Sequence, residues 1–328
     1  MSTKDIYYGE YPCQGIYKSG KKKGLSCENK AYFDLDGTYL CGIHAKKEGV
    51  RDQRSTQRYA LPKNPNKKQN QERELLDHEE ECEQAAKENL QNGYRGDIKV
   101  TKLRMRKAVP HISGYVKIFP NFKHGNRKDG IGMPSLSPMS LGPIEHGYKD
   151  LPPALNLENF HQGAKFFPGE VDKEGAITQE AYEMRKKIYL DPTPYRHKFE
   201  VPYYTGEKVK RNKNIPLFSI HYKEDEEVRY SYLQSRYFYS HWYEKLAKKE
   251  GDFTLLNTLI DNGFNLLIIG YDGFPVEEDE ALWKHYNDTT RPFGHELVLY
   301  TLLTIEDPNE YPWNRYYREN NDLYEGVI

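Results

Sequence analysis

The segment from Phe253 to Gly270 constrains the fold of this chain more than any other. Phe253 to Asp261 has helix-forming composition, Asn262-Gly263 is a turn that stops a helix, and Asn265 to Ile269 is a short apolar run ending at Gly270. A strand that apolar must be covered by other layers. Helix, glycine turn and buried strand together predict an α/β (or α+β) domain.

The rest of the chain fits around that unit. Asp97 to Met105 and Tyr115 to Phe119 alternate as strands do, and Ser135 to Pro153 is rich in Pro and Gly and predicts an irregular path. Leu157 to Phe167 and Thr178 to Tyr189 read as helices broken at Pro168 and Pro192. Residues 195–228 read as loop and strand. Tyr230 to Lys249 reads as a helix with a buried stripe of Tyr232, Tyr239, Trp242, Tyr243 and Leu246. A last helix spans Gly294 to Leu303, and an aromatic tail follows from Asp307. Upstream, Lys46 to Gln71 holds Pro62 and Pro65 and little that could form a core, so it reads as a linker. Gln71 to Asn92 reads as an exposed or lightly docked helix closed by Gly93. The expected division is residues 1–50, 51–94 and 95–328. At 328 residues the chain is long enough for a sizeable core.

Three of the four cysteines, Cys13, Cys27 and Cys41, lie in the first 41 residues, and His44 follows Cys41 as Cys41-Gly-Ile-His44. Three thiolates and one imidazole are a tetrahedral ligand set for a structural Zn2+, whose binding would supply folding energy to a segment too small for its own core. Three unlinked thiols are the alternative. Cys82 reads as a helix-face thiol, and His111, His124, His146 and His161 are scattered without metal spacing and read as non-ligands. A metal-like cysteine pattern suits a reducing compartment. The longest apolar run, Phe264 to Gly270, has the length of a core strand, and no apolar stretch resembles a signal peptide. The expectation is a cytoplasmic or nuclear location, neither secreted nor membrane-spanning.

The net charge of -1 hides an asymmetry. Residues 1–130 carry 26 Lys and Arg against 17 Asp and Glu, and residues 131–328 carry 22 against 32. The sharpest basic stretch runs from Lys99 to Lys128 and includes Lys102, Arg104, Arg106, Lys107, Lys117, Lys123 and Arg127. It could contact nucleic acid, form a solvated face, or lie on the acidic half of the chain. The 28 tyrosines serve burial first, although such rings also stack on bases.

Chemistry points to LNLENFHQGAKFF. In a helix, Glu158, Gln162 and Lys165 stand at i, i+4 and i+7 and share one face, with Asn156 as the cap. A partly desolvated lysine beside a carboxylate can attack a carbonyl and form a Schiff base. An ordinary solvated face is the bland alternative. Gly270-Tyr271-Asp272-Gly273 follows a strand end, where α/β crevices lie, or is simply a tight turn. His295 and Glu296, after Pro292-Phe293-Gly294, open a helix where a phosphate could rest or an ordinary cap could form.

The same stretch resembles the NADAR family, named for NAD and ADP-ribose association. The likeness rests on Leu136-Ser137-Pro138-Met139 followed by Gly142-Pro143-Ile144, and on Glu158-x3-Gln162-x2-Lys165-Phe166. Ser235 to Lys249, Phe253 to Asn262 and the strand before Gly270 look like later segments of that family. The resemblance implies hydrolysis or binding of N-glycosides of ribose or ADP-ribose, carried by a small molecule or a modified nucleic acid. Lys165 would form the Schiff base and Glu158 would move the proton, with Gln162 in the same catalytic set and Ser137, Phe166, Gly270, Tyr271 and His295 binding the substrate. The family's late Asp-x-x-Trp-Gly is absent in that form, and Asp272 or Asp288 would take the acid's place. The chain is also similar to proteins of large DNA viruses that join a Cys/His knuckle to segments like GYDGF and PFGHELVLYTLL. Two further readings stay open. One is a non-catalytic nucleic-acid-binding protein using residues 99–128. The other is a virion or assembly protein whose tail, Tyr311-Pro-Trp313-Asn-Arg-Tyr316-Tyr317, holds a partner.

Overall fold

The computed structural model describes residues 12–48 except 19, 21, 32 and 36, residues 67–197 except 106, and residues 216–324 except 224, 225 and 278. Most of the linker, Tyr32 of the knuckle, Arg106 of the basic stretch and part of the 195–228 segment lie outside them. The chain divides into two compact units, Met1–Asp77 and His78–Ile328.

In the first unit, antiparallel bridges join Pro12 to Lys30 and Ile16 to Ser26. A hairpin of β1 (Phe33–Leu35) and β2 (Thr38–Leu40) follows, and Cys41 leads directly into the short helix α1 (Gly42–Lys47). The hairpin turn is tied by the Gly37 N–H donating to Asp34 Oδ1 at 2.8 Å. Phe33, Leu40 and Ala45 pack with the three cysteines. Few apolar residues are available here, so the cysteines are themselves much of the core.

Helix α2 (Lys67–Gln91) contains the boundary between the units. In the second unit its Cys82 and Ala86 are buried, and Asn89 Nδ2 donates to the Gly263 carbonyl and to Asn265 Oδ1. Strands β3 (Ile98–Lys102), β4 (Tyr115–Phe119) and β5 (Ile131–Gly132) appear before the irregular segment expected around Ser135 to Pro153. Next come α3 (Leu157–Gly163), β6 (Lys165–Phe166), α4 (Gln179–Leu190), and the hairpin β7 (Phe218–Lys223) and β8 (Glu226–Tyr230). The C-terminal part holds α5 (Tyr232–Ala247), α6 (Gly251–Asp261), β9 (Asn265–Gly270), α7 (Asp279–Asn287), α8 (His295–Thr304) and α9 (Pro312–Glu319).

The mixed α/β class is as the sequence indicates, and the second unit has two sheets. β3, β9, β4 and β5 form a parallel sheet in that order, and β6, β7 and β8 form an antiparallel one. β9 is central. Leu266 and Ile268 enter the large core, while Leu267 and Ile269 enter a smaller one with Leu103 and Phe119. Alternate side chains of one strand thus feed two layers, which is why its sequence has no polar face.

Two expectations change. Lys165 is not on the helix with Glu158, because α3 stops at Gly163 and the chain turns into β6, which pairs with β7. The Tyr189 ring of α4 lies where a side chain at Gly163 would be, so the two helices touch at that glycine. The aromatic tail is not a free segment. Its Tyr311, Trp313 and Tyr324 are 3%, 0% and 1% exposed, and Trp313 Nε1 donates to Glu244 Oε2 at 2.9 Å. The tail lengthens the core of α5. Among the described residues no helix is long and apolar enough to cross a membrane.

If the tail is core, Trp313→Ala will lower the stability by about 3–5 kcal/mol, as other large core truncations do. Urea unfolding of the full chain measures it; an unchanged midpoint would return the tail to the surface.

Candidate functional site

The N-terminal cluster is built by the bridges and the hairpin. They bring Cys13, Cys27, Cys41 and His44 together, all buried, with one ligand atom of each within 4.8 Å of the others. His44 Nδ1 lies 3.4 Å from Cys13 Sγ and 3.4 Å from Cys41 Sγ, and Cys27 Sγ lies 3.8 Å from Cys41 Sγ. Tetrahedral bonds of zinc length would separate two sulfurs by about 3.8 Å, and sulfur from nitrogen by about 3.6 Å. The four atoms fit such an ion. His44 Nε2 sits 3.1 Å from the Ile16 carbonyl, which can only accept, so the proton is on Nε2 and the Nδ1 lone pair faces the sulfurs. The Cys41 N–H donates to Cys13 Sγ at 3.1 Å, and none of these cysteines is in a disulfide. Gly15 is required beneath the ring, because a Cβ there would stand 2.3 Å from His44 Cγ.

The second candidate is a cavity of about 510 Å3 in the larger unit, within the usual range for small-molecule sites. Its floor carries Glu158, Gln162 and Lys165. The Asn156 side chain accepts from the Asn159 N–H at 2.8 Å and starts α3, and the Glu158 N–H donates to the Pro138 carbonyl at 2.9 Å. Gln162 relays between the other two: its Nε2 donates to Glu158 Oε1 at 2.9 Å and its Oε1 accepts from Lys165 Nζ at 3.3 Å. The spacing expected of one helix is therefore met by a helix and the strand after it. Lys165 is 9% exposed. Burial brings its ammonium down to about 8, against the opposing pull of Glu158.

The walls come from distant segments. Asn159 donates from Nδ2 to the Asp191 and Thr193 carbonyls and accepts at Oδ1 from the Tyr195 N–H. That anchors the stretch carrying Arg196 and His197 to the rim, where His197 Nε2 meets the Gln162 carbonyl at 2.9 Å. On α5, Arg236 is 4% exposed and donates to the carbonyls of His285, Tyr286, Asp288 and Arg291. One guanidinium thus shapes the turn after α7 that delivers Phe293 and Gly294 to the cavity. His161 and Tyr239 meet between these walls with their rings tilted by 50° and their centroids 4.8 Å apart. Burial, with the Lys165 charge next, holds the His161 imidazole well below its ordinary value, and burial does the same more mildly at His197. Burial lifts the Tyr239 phenol well above its usual range.

Of the two candidate acids, Asp272 lines the cavity and Asp288 does not. Burial raises the Asp272 carboxyl, and the neighbouring Glu296 adds to it, so this acid holds a proton to higher pH than a free one. Asp288 accepts from the Thr290 N–H and hydroxyl and from Arg291 Nε. Those contacts bring it to about 2 and mark it as a turn residue. The other expected residues stand around the cavity without lining it. Ser137 closes turns whose Ser140 and Leu141 N–H groups donate to its carbonyl. Phe166 packs with Ala181 and Ile220. Gly270 lets the Glu296 carboxylate approach the end of β9, where a Cβ would lie 1.8 Å from Oε1. Tyr271 is 46% exposed, and His295 Nε2 donates to the Pro120 carbonyl at 2.9 Å.

Sequence reasoning did not find Arg196, His197, Arg236 or Tyr239. Tyr239 and Arg236 sit in a helix read as core, and an arginine amid so many aromatics was the available signal. For Arg196 and His197 there was none. The basic stretch is not a free arm, since it runs through β3 and β4. There Lys99 covers Tyr115 at 4.6 Å, Lys102 covers Phe274 at 3.9 Å, Arg127 pairs with Asp129 at 2.5 Å, and Lys117 is buried. Lys102, Arg104 and Lys107 share a second cavity of about 340 Å3.

A buried amine weakens the fold that buries it. With its proton released near 8 when folded and near 10.4 when unfolded, Lys165 costs roughly 3 kcal/mol below pH 8. Between those values the unfolded chain holds the proton and the folded one does not, so the cost fades as pH rises and is gone above both. Lys165→Met is therefore expected to stabilise the protein by about 1–3 kcal/mol at pH 7, with the gain shrinking toward pH 10. Denaturation midpoints across that range test it; a pH-independent difference would mean that the amine is solvated. No protein-family model, curated protein or solved structure matches this chain, so the functional reading rests on its own residues.

Proposed function

We propose that the cavity binds and cleaves N-glycosides of ribose or ADP-ribose, with Lys165 as nucleophile. The observation that carries the reading is the buried Lys165 amine, lowered to about 8 and tied through Gln162 to Glu158. Such a lysine is about one-tenth unprotonated at pH 7, against well under a thousandth of an ordinary surface amine. Nζ adds to C1 of the sugar, the C1–N bond to the base breaks, and the base leaves with a proton. The ring C1–O bond then opens as the proton on Nζ passes to that oxygen, giving an imine. Water adds to C1, Nζ departs, and a free aldehyde sugar and the amine remain. The net change is hydrolysis. Asp272, whose carboxyl is raised by burial and by Glu296, is the donor to the leaving base, and Glu158 takes protons from Nζ and water. Arg196 at the rim offers a charge for phosphate.

Borohydride trapping with ADP-ribose and with ribose 5-phosphate is the test. A reduced adduct mapped to Lys165, absent from Lys165→Ala and increasing with pH until about 8, is expected. No adduct on folded protein, or an adduct that survives the substitution, would refute the assignment.

The N-terminal cluster we assign to Zn2+. Three buried thiols and an imidazole whose Nδ1 faces them suit a borderline-soft dication, and a closed set of four ligands is structural rather than catalytic. The ion would contribute folding energy and no chemistry at the cavity. Cys41→Ser is expected to lower the zinc content by one equivalent per chain; full retention in elemental analysis would remove Cys41 from the set.

The Lys102, Arg104 and Lys107 cavity favours a second reading, in which the glycoside is carried on a nucleic acid whose phosphates lie there. Its mark would be binding of single-stranded DNA or RNA that weakens steeply with salt and persists in Lys165→Ala.

A further inference from the structure

We propose that His78, Glu81 and His111 form a second metal site, partly open, for a first-row transition-metal dication. These residues touch neither the cysteine cluster nor the cavity floor, so the proposal stands apart from both functional assignments above. His78 and Glu81 are three residues apart on α2 and share a face. His111 comes from the connection between β3 and β4, where its isolated position in the sequence gave no reason to expect a ligand.

The tertiary structure brings one donor atom of each residue within 4.8 Å of the other two. The imidazoles of His78 and His111 meet edge to face with centroids 4.7 Å apart. His78 Nδ1 stands 3.9 Å from Glu81 Oε2, beyond hydrogen-bond reach, so an ordinary His–Glu hydrogen bond does not explain the pair. Ligands on one ion at bond lengths near 2.1 Å are about 3.0–3.4 Å apart, so an ion would draw these atoms inward by roughly an ångström. The freedom to do so exists. His111 and Glu81 are exposed, and only the His78 side chain, 11% exposed, is held by its surroundings.

A supporting contact is also present. Ser113 Oγ donates to Glu81 Oε2 at 2.9 Å, orienting the carboxylate as groups behind metal ligands do. Cys82 is adjacent, with Sγ 3.9 Å from both His78 nitrogens, but it does not join the set in which all donors are mutually close. Two imidazoles and one carboxylate select Zn2+, Ni2+, Co2+ or Cu2+ over Mg2+ and Ca2+. Three protein ligands leave at least one position for water. An ion there would clip α2 to the β3–β4 connection and so tie the helix to the parallel sheet.

The test uses the tag-free full chain carrying one equivalent of zinc per chain, enough for the cysteine cluster alone. It is titrated with Ni2+ by calorimetry while zinc retention is followed by elemental analysis. One further equivalent of Ni2+ should bind without displacing zinc. His111→Ala and Glu81→Gln, both at exposed positions, should weaken it at least tenfold, and Ser113→Ala by about tenfold, as loss of a group behind a ligand does. Cys82→Ala should leave it unchanged. Absence of the extra equivalent, its release of zinc, or wild-type affinity in His111→Ala and Glu81→Gln would overturn the proposal. Loss on Cys82→Ala would overturn the ligand set.

Discussion

Strand β9 is hydrogen-bonded on both edges, to β3 and to β4, and buried on both faces, with Leu266 to Ile269 all 0% exposed. A strand so placed has no solvent side, so everything beside it must supply either a partner strand or apolar cover. α6 leads into it and α8 packs behind it, while on its other face Leu267 and Ile269 cluster with Leu103 and Phe119 beneath Val109 and Ile112 of the β3–β4 connection. Its end is also where functional groups can stand. After Gly270 the chain leaves the sheet, and Asp272 falls at the cavity wall. This is the usual relation between a parallel sheet and its crevice.

The cavity depends on polar groups that hold backbone. Arg236 binds two carbonyls in the last turn of α7 and two just after it, and Asn159 binds three backbone groups in residues 191–195. These are helix-end and irregular positions, so side chains satisfy carbonyls and amides that no helix or sheet pairs. A wall built in this way is held in place where it faces the cavity. It also keeps water from Lys165, and the same exclusion that lowers the amine's proton affinity weakens the fold. Burial of an amine and stability of the fold are set against each other at one residue.

The smaller unit has the opposite economy. Its apolar residues are few, and Cys13, Cys27 and Cys41 serve as core. Burying three thiols and one imidazole with so little else is reasonable when the group they surround contributes binding energy. The larger unit needs no such help, since its core runs through the parallel sheet, the aromatic helix α5 and the C-terminal tail.

Much was legible locally. Periodicity located β4, β9, α5, α6 and α8, since a pattern of apolar positions records which side of an element is covered. The cysteine spacing found a cluster compatible with a metal site, because cysteine and histidine in such a pattern are rare and their types alone are informative. α7 and α9 were not found. Pro312 and the dense aromatics made the tail look irregular, although proline is well placed in a first helical turn. The end of α3 was misplaced for a tertiary reason: Tyr189 packs on Gly163, and β7 claims the residues after it as a strand.

By itself the sequence determined the α/β class, the cysteine–histidine set and the candidate trio Glu158, Gln162 and Lys165, because composition and short-range spacing carry that information. Tertiary structure alone decided which acid reaches the trio, which arginine and histidines surround it, and that His111 lies beside His78. Those relations join residues far apart in the chain, and they depend on how the sheets and helices pack rather than on any local pattern.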